Sequence, residues 1–233
     1  MRGASPLLPQ AAVIVFPGSN GDRDLHEALI LAGFESRFLP AYESIPTALS
    51  VVALPGGFSY GDYWRAGMLA ARARAVRSLG AHLATGGLVI GVCNGFQILV
   101  EAGYLSGALT YNAPPRFVHR WVDVRVTAAA RRSPWFSLYP THSLLHLPVA
   151  NGEGNYQSSE DDATLAARVP LVYERNPNGS AANTAAVLDD TGKVLGIMPH
   201  PERACDLVLG SSDGLRLFRS AFQWASRLGS NSP

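Results

Sequence analysis

Cysteine is scarce in this sequence, which holds only Cys93 and Cys205 among 233 residues. Two cysteines this far apart do not make a disulfide framework, so we expect a protein of the reducing cytoplasm. The formal net charge is only +1, which gives no electrostatic footprint for nucleic acid or for an anionic membrane surface. No apolar run is long enough to span a bilayer, and the first ten residues lack the apolar core of a signal peptide.

Cofactor motifs are missing as well. The sequence has no metal-ligand spacing, no Gly-Lys-Ser/Thr phosphate loop and no dinucleotide fingerprint, so we expect no metal, no cofactor and no ATP site in this chain. Hydrophobic residues, by contrast, make up 47% of the chain and charged residues 16%, which is typical of a globular protein with a sizeable core. We expect residues 1–10 to be a disordered end and residues 11–229 to form a single domain.

Apolar runs alternate with helical patterns through the first half of the chain. Strands are predicted at 11–16, 34–39, 51–55 and 88–92, and helices at 24–33, 63–84 and 94–102. This alternation predicts an α/β fold with a mostly parallel central sheet flanked by helices.

The second half of the chain has a different pattern. Strands of a more antiparallel kind are predicted at 116–126 and 142–150, a hairpin over 185–198 and an amphipathic helix over 213–228. Asp213 is the expected N-cap of that helix, and Gly229 follows its last turn.

The stretch G-V-C-N-G-F-Q-I-L, residues 91–99, places a cysteine between two glycines, after a buried strand and before a helix. This is the local logic of a nucleophile elbow, because the glycines allow a sharp turn that presents Cys93 at the carboxyl end of the sheet. The unpaired N–H groups of the following helix favour a thiolate, which is the form that attacks carbonyl carbon. The alternative is a buried cysteine that only packs at the end of a strand.

A nucleophilic cysteine needs a base, and the best candidate lies in I-M-P-H-P-E-R, residues 197–203. Prolines on both sides of His200 favour extended backbone, in which the side chains of His200 and Glu202 point the same way. Glu202 then orients the imidazole while His200 takes the proton of Cys93. The alternative is a surface loop with an incidental histidine. We interpret Cys205 as structural.

Two further features fit attack on a carbonyl group. L-P-G-G-F-S-Y-G-D, residues 54–62, ends a strand with a glycine pair, so the backbone N–H groups of Gly57 and Asn94 are candidate oxyanion donors. Gln97 lies one helical turn after Cys93, on the same face, where its amide can reach a polar ligand over the sulfur. Taken alone, the glycine pair also fits a simple tight turn, and Gln97 a solvated helix position.

Five motifs stand in order along the chain: F-P-G-S-N-G-D-R-D (16–24), L-P-G-G-F-S-Y-G-D-Y-W-R-A-G (54–67), G-V-C-N-G-F-Q-I-L (91–99), N-P-N-G-S (176–180) and M-P-H-P-E-R-A (198–204). In this order they resemble the class I glutamine amidotransferases, and the resemblance runs from about residue 11 to 228. The long second motif and the Asn-Gly-Phe-Gln after the cysteine are similar to the branch of that family that serves purine biosynthesis.

The resemblance implies a flavodoxin-like glutamine amidotransferase fold with a more antiparallel β insertion. It implies hydrolysis of L-glutamine to glutamate and ammonia through a thioester on the cysteine. Ammonia would pass to a large synthetase subunit that holds ATP, magnesium and formylglycinamide ribonucleotide, and a small third subunit would complete the complex. The residues that match the family's triad are Cys93, His200 and Glu202. Those that match its oxyanion donors and glutamine contact are Gly57, Asn94 and Gln97.

Two positions depart from the family pattern. Asn151 stands where the family usually has His before Gly-Glu-Gly, and asparagine carries no proton near neutral pH, so an acid–base role there is in doubt. Gly21 stands where the family often has Cys. Two alternatives follow: a non-catalytic or weakly active scaffold subunit, for which Asn151 is the only hint, and a protease-like cysteine hydrolase of the DJ-1 type. Relatives of that type usually have His where this chain has Asn94.

Overall fold

The structure is a computed structural model that describes residues 8–230, so residues 1–7 of the expected disordered end lie outside it. Its strands are β1 (Gln10–Val15), β2 (Glu35–Pro40), β3 (Val51–Leu54), β4 (Leu88–Val92), β5 (Ala108–Thr110), β6 (Val118–Val126), β7 (Leu144–Asn151), β8 (Asn155–Gln157), β9 (Leu171–Tyr173), β10 (Thr184–Leu188) and β11 (Val194–Ile197). Its helices are α1 (Asp22–Ala32), α2 (Arg74–Arg77), α3 (Leu79–Ala84), α4 (Asn94–Glu101), α5 (Asp162–Ala166) and α6 (Leu215–Ser230). No helix within residues 8–230 is long and apolar enough to cross a membrane.

Nine of these strands form one sheet, in the order β2-β1-β3-β4-β11-β10-β9-β6-β7. The first five are parallel to one another and follow the 2-1-3-4-5 order of flavodoxin-like folds, with β11 as the fifth strand. From β11 onward each strand is antiparallel to its neighbour. The predicted α/β fold is confirmed, and most of the antiparallel part extends the same sheet, while β5 and β8 form a small sheet of their own.

The central strands of the parallel half are made of apolar residues, as expected where both faces of a sheet are covered. Every residue of β3, β4 and β11 is buried, as expected for continuous apolar runs. Helix α1 ends at Gly33, as predicted, and the φ of 111° at that position favours glycine. The buried residues of α1, which are Leu25, Ala28, Leu29 and Ala32, lie on one face of the helix.

The antiparallel half has a weaker pattern. Buried and exposed residues alternate along much of β7 and the second half of β6, which pair from Val118 opposite Asn151 to Arg125 opposite Leu144. The predicted hairpin is formed by β10 and β11. The sheet therefore changes from fully covered strands to partly exposed ones between β11 and β7.

Tertiary packing breaks the helix predicted over 63–84, so that prediction was wrong. The chain forms a 3-10 turn at Ala70–Arg72 and then the two short helices α2 and α3. Gly67 has a φ of 81°, and a Cβ there would lie 2.7 Å from the backbone nitrogen of Ile98. Packing against α4 therefore fixes this segment, and it overrides the local helical preference.

Helix α6 starts later than predicted. It begins at Leu215, and the carboxylate of Asp213 accepts a hydrogen bond from the backbone N–H of His146 (2.8 Å) instead of capping the helix. The apolar stripe lies where the period places it: Phe218 is fully buried, and Phe222 meets Phe34 edge-on with ring centroids 5.3 Å apart. The helix also continues beyond the predicted end, to Ser230.

Candidate active site

Cys93 lies in a sharp turn between β4 and α4. Its φ of 51° and ψ of −104° are unusual for a residue with a side chain and are the strain expected at a nucleophile elbow. The flanking glycines are required, because a Cβ at Gly91 would collide with the backbone of Gly95, and one at Gly95 with the backbone of Leu54. The N–H of Cys93 donates to the oxygen of Ile197 at 2.8 Å, which ties the elbow to β11.

The side chain of Cys93 lines a cavity of about 280 Å³ and is 7% exposed. Its Sγ lies 3.6 Å from the carbonyl oxygen of Ala150 on β7. The same cavity is lined by the loop after β3, the first turn of α4, the loop after β7 and His200. The sulfur is therefore placed at a ligand-sized space and is not enclosed in hydrocarbon.

His200 and Glu202 form a buried pair after β11. Nδ1 of His200 lies 2.6 Å from Oε1 of Glu202, and the two residues are only 2% and 4% exposed. The backbone is not extended as predicted: Pro201–Arg203 forms a 3-10 turn, which the proline starts, and this turn carries the carboxylate back to the imidazole. The predicted contact is present, but it arises from a different local conformation.

Gly56 shows how close the ring of His200 comes to the elbow. A Cβ on Gly56 would lie 2.9 Å from Cε1 of His200 and 3.6 Å from Cβ of Cys93, so glycine leaves the room that both side chains occupy. Nε2 of His200 is buried and, among the described residues, has no hydrogen-bond partner. The structure thus brings together the three side chains of the predicted triad.

The charges around His200 favour the imidazolium. Burial lowers the pKa of His200, but the adjacent Glu202 and Cys93 outweigh this effect and raise it to about 10. An imidazolium beside a cysteine stabilises the thiolate. Cys205 differs: its thiol donates to the oxygen of Pro201 at 3.3 Å, and burial, with the charge of Glu202, raises its pKa to about 12. That environment fits the structural role predicted for it.

Gly57 lies in the cavity wall with a φ of 139°. The loop after β1 supports it, because the N–H of Asn20 donates to the oxygen of Gly56 at 3.2 Å. Asn94 opens α4, and its Oδ1 accepts a hydrogen bond from the N–H of Ser59 at 3.1 Å. Within residues 8–230, neither the backbone N–H of Gly57 nor that of Asn94 is the donor of a backbone hydrogen bond in a turn, a loop or a helix cap. Both remain candidates for binding an oxyanion.

Gln97 lines the cavity, but the oxygen and the nitrogen of its side-chain amide both form hydrogen bonds within the protein. Oε1 accepts a hydrogen bond from Nδ2 of Asn94 at 2.8 Å, and Nε2 donates to the backbone oxygen of Glu153 at 2.8 Å. Gln97 therefore fixes the loop at 151–154 against α4. A contact with glutamine would be made in addition to these bonds.

Two carboxyl groups that the sequence reasoning missed, those of Asp62 and Glu153, line the same cavity. Burial and then the charge of Glu153 raise the pKa of Asp62 to about 6, and burial raises the pKa of Glu153. Nδ2 of Asn94 donates to Oδ1 of Asp62 at 3.1 Å. The sequence did offer a signal for both residues: Asp62 lies within the motif at 54–67, and Glu153 lies in Asn-Gly-Glu-Gly at 151–154, next to the position that departs from the family pattern. This side of the cavity suits a ligand that carries an ammonium group.

A buried amide network supports the loop at 151–154. Asn178, from N-P-N-G-S, donates through Nδ2 to Oδ1 of Asn112 at 2.8 Å and to Oδ1 of Asn151 at 2.7 Å. Nδ2 of Asn112 donates to the backbone oxygen of Asn151 at 2.9 Å, and Oγ of Ser180 to the oxygen of Gly154 at 3.1 Å. Asn151 thus anchors the loop as an acceptor, and an asparagine there has no proton to exchange near neutral pH.

The site contains a thiol, an oriented imidazole and backbone hydrogen-bond donors. These are the groups that catalyse acyl transfer from an amide or an ester. Within residues 8–230, no group of three or more His, Cys, Asp or Glu side chains is placed to hold a metal ion.

Known proteins are similar in sequence to this chain over most of its length. The profile of the CobB/CobQ-like glutamine amidotransferase domain matches residues 8–225. The phosphoribosylformylglycinamidine synthase subunit PurQ of Parasynechococcus marenigrum (strain WH8102) is 47% identical over 206 residues, which cover 87% of this chain and 94% of that protein. The subunit of the same name from Ruegeria sp. (strain TM1040) is 44% identical over 217 residues, 91% of this chain and 96% of that protein.

Solved structures agree with these matches. The structure of PurLQS from Thermotoga maritima superposes with a TM-score of 0.87 at 38% identity, over 94% of this chain and 99% of that chain. A glutamine amidotransferase from Thermotoga maritima gives a TM-score of 0.58 at 14% identity, over 93% and 97%, which supports the fold alone. Since the family profile spans nearly all of it and the relatives exceed 40% identity, the chain belongs to the family of CobB/CobQ-like glutamine amidotransferases.

Proposed function

We propose that this chain is the glutaminase subunit of a phosphoribosylformylglycinamidine synthase in de novo purine biosynthesis. It hydrolyses L-glutamine to glutamate and ammonia. It supplies the ammonia to a synthetase subunit that converts formylglycinamide ribonucleotide and ATP to formylglycinamidine ribonucleotide. The observation that carries this proposal is a cavity lined by both Cys93 and His200, with Glu202 bonded to the imidazole, in a chain 47% identical to a PurQ subunit.

The first half of the reaction forms a thioester. His200 holds the proton of Cys93, and the thiolate attacks the side-chain carboxamide carbon of glutamine, so that a C–S bond forms and the carbonyl oxygen becomes an oxyanion. The backbone N–H groups of Gly57 and Asn94 donate to that oxyanion. The intermediate then collapses: the C–N bond breaks, the imidazolium gives its proton to the leaving nitrogen, and ammonia departs.

The second half restores the enzyme. Neutral His200 takes a proton from a water molecule, whose oxygen attacks the γ-glutamyl thioester. The C–S bond breaks, glutamate leaves, and Cys93 and the imidazolium are again a charged pair. Glu202 keeps Nδ1 of the ring protonated throughout, so that Nε2 is the nitrogen that exchanges protons. No step needs a cofactor.

The amino-acid end of glutamine also needs a binding site. The carboxyl groups of Asp62 and Glu153 line the same cavity as the sulfur and provide acceptors for the α-ammonium group. The amide of Gln97 holds the loop that carries Glu153, so it supports this contact as well as lining the cavity.

The proposed function includes partners. The Thermotoga maritima structure is named for a PurLQS complex, and we expect this chain to join a large synthetase subunit and a small third subunit. ATP and magnesium would be held by the synthetase. The two free cysteines fit a cytoplasmic complex. Residues 11–229 would act as one glutamine amidotransferase type 1 domain; Gln10, expected in the disordered end, already belongs to its first strand, β1.

The proposal is tested by measuring glutamate release by the purified chain, alone and with the synthetase partners, formylglycinamide ribonucleotide and ATP. We expect turnover to rise in the complete mixture and Cys93→Ala to abolish it. An electrophilic glutamine analogue should label Cys93 once per chain and leave Cys205 unlabelled. A full complex that never releases glutamate would overturn the proposal in favour of a scaffold subunit. Partner-independent peptide cleavage would favour a DJ-1-type hydrolase.

A further inference from the structure

A second cavity, of about 580 Å³, lies away from the glutamine cavity and has no residue in common with it. It is lined by the turns at 130–134 and 136–141, by Thr191 and Lys193, and by Trp224 of α6. Its volume is in the range of sites that hold small organic ligands. Nothing in the glutaminase reaction uses it.

The charged groups of this cavity are all cationic. Three cationic side chains line it, Arg131, Arg132 and Lys193, and no aspartate or glutamate of the described chain is among its lining residues. None of the three forms a salt bridge within residues 8–230. The ring of Trp224 also lines the cavity. Cations without a carboxylate partner favour an anionic ligand.

The cationic groups are held on a rigid frame. Oγ of Ser133 donates to the backbone oxygen of Gly192 at 2.7 Å, and the indole N–H of Trp135 donates to the oxygen of Lys193 at 3.0 Å. These bonds fix the turn before β11 against the segment that follows Arg132. The guanidinium of Arg132 is itself positioned by hydrogen bonds to two backbone oxygens, at 2.9 and 2.8 Å. The backbone that carries Arg132 and Lys193 is therefore held in place by hydrogen bonds.

The walls of the cavity are apolar and partly aromatic. Phe136, Tyr139 and Trp224 line it beside the cations, together with two prolines. An inorganic ion would use only the charged groups, whereas an ester with a flat organic part would also cover these rings. The lining thus fits a molecule with a phosphate at one end and a base at the other.

We propose that this cavity binds a mononucleotide-sized phosphate ester, with its phosphate against Arg131, Arg132 and Lys193 and its base against Trp224. The cavity lies at the amino end of β11 and His200 follows the carboxyl end, so the strand separates the two sites by about 13 Å of backbone. The ligand is therefore neither glutamine nor its products.

Isothermal titration of the full chain tests the site with four probes: AMP, ribose 5-phosphate, inorganic phosphate and adenosine. We expect AMP to bind with one molecule per chain, and adenosine about tenfold more weakly or worse, because it lacks the charge-assisted contacts. Arg131→Gln and Lys193→Gln should each weaken AMP by about tenfold. Rising salt should weaken it further.

The matched control is Arg37→Gln, which removes an exposed arginine of β2 outside the cavity and should leave AMP affinity unchanged. Arg131→Gln and Lys193→Gln should keep thermal midpoints close to that of the wild type, because neither side chain forms a salt bridge within residues 8–230. Arg132→Gln also removes two hydrogen bonds to backbone oxygens, so it should lower the midpoint. The proposal is overturned if millimolar AMP does not saturate the protein. It is also overturned if the variant that combines Arg131→Gln, Arg132→Gln and Lys193→Gln binds AMP as well as the wild type does. Equal binding of AMP and inorganic phosphate would overturn the nucleotide assignment.

Discussion

The two halves of the nine-stranded sheet contribute different parts of the glutamine cavity. The parallel half ends in the turns that hold Cys93, Gly57 and His200, which are the groups that would act on the reacting carbon. The antiparallel half ends in the loop at 151–154, which forms a wall and is held by the side chains of Asn178 and Ser180. The reacting groups therefore follow strands that are buried on both faces, whereas the wall follows a strand that is exposed on one face.

Hydrogen bonds join the two halves at the site. The N–H of His200 donates to the oxygen of Pro148 at 2.8 Å, and Sγ of Cys93 lies 3.6 Å from the oxygen of Ala150. If the halves divide the work as we infer, substitutions in the parallel half should change kcat, and substitutions in the antiparallel half should change KM.

The largest effect is expected from the parallel half. Cys93→Ala removes the nucleophile, so glutamine hydrolysis in the complete complex should fall by about 10⁴-fold or more. Cys205→Ala is the matched control, because that thiol lies outside the cavity and should be dispensable for turnover. Steady-state glutamate release measures both, and comparable losses in the two variants would contradict the assignment.

Glu202→Gln should have the next largest effect. We expect kcat to fall by about 10²- to 10⁴-fold, because the imidazole loses its anionic partner. Glu202 raises the pKa of His200, so the falling limb of kcat/KM, expected near pH 10 in the wild type, should move about 1–3 units lower. The stability that the raised pKa provides is present below pH 6.5 and lost as pH rises through about 10. An unmoved limb in a folded variant would refute this.

Asn178→Asp tests the antiparallel half. The substitution replaces two buried N–H donors by a carboxylate oxygen, which would face the amide oxygens of Asn112 and Asn151. Since the loop at 151–154 would loosen while the triad stays in place, KM for glutamine should rise about tenfold with kcat nearly unchanged. The control is Asn183→Asp, whose Oδ1 accepts a hydrogen bond and can go on accepting it. A fall in kcat at constant KM would break the division between the halves.

The smallest effect is expected on the outer surface of the antiparallel half. Arg125 and Glu174 form a salt bridge at 2.7 Å, but each side chain is 37% exposed. Arg125→Gln should therefore leave the urea midpoint of unfolding almost unchanged and leave KM and kcat as they are. Urea unfolding measures the first and glutaminase assays the second. A larger loss of stability would show that this edge of the sheet matters more than its exposure suggests.

The parallel half was predictable because its signals are local. Continuous apolar runs marked its strands, and two glycines around one cysteine marked the elbow. The contact of His200 with Glu202 was predicted from an extended backbone, yet it forms in a 3-10 turn. The predicted contact is present all the same, because side chains two residues apart can meet in either conformation.

The cavity wall could not be predicted, because its contacts join distant parts of the chain. The bond from Asn178 to Asn112 spans 66 residues and depends on how the antiparallel strands pair. Glu153 reaches the cavity because its loop is held by Gln97 and by the network around Asn178. The broken segment at 63–84 has the same cause, since Gly67 packs on α4 and no local pattern records that contact.

One continuous sheet carries both sides of the glutamine cavity, and this limits how the protein can open. Halves that share a hydrogen-bonded sheet are not free to swing apart about a hinge, so any widening of the cavity would come from displacement of the loops at 55–62 and 151–154. A synthetase that accelerates the reaction would then act by pressing on those loops, and rigid cross-links between them should abolish its effect while leaving the sheet intact.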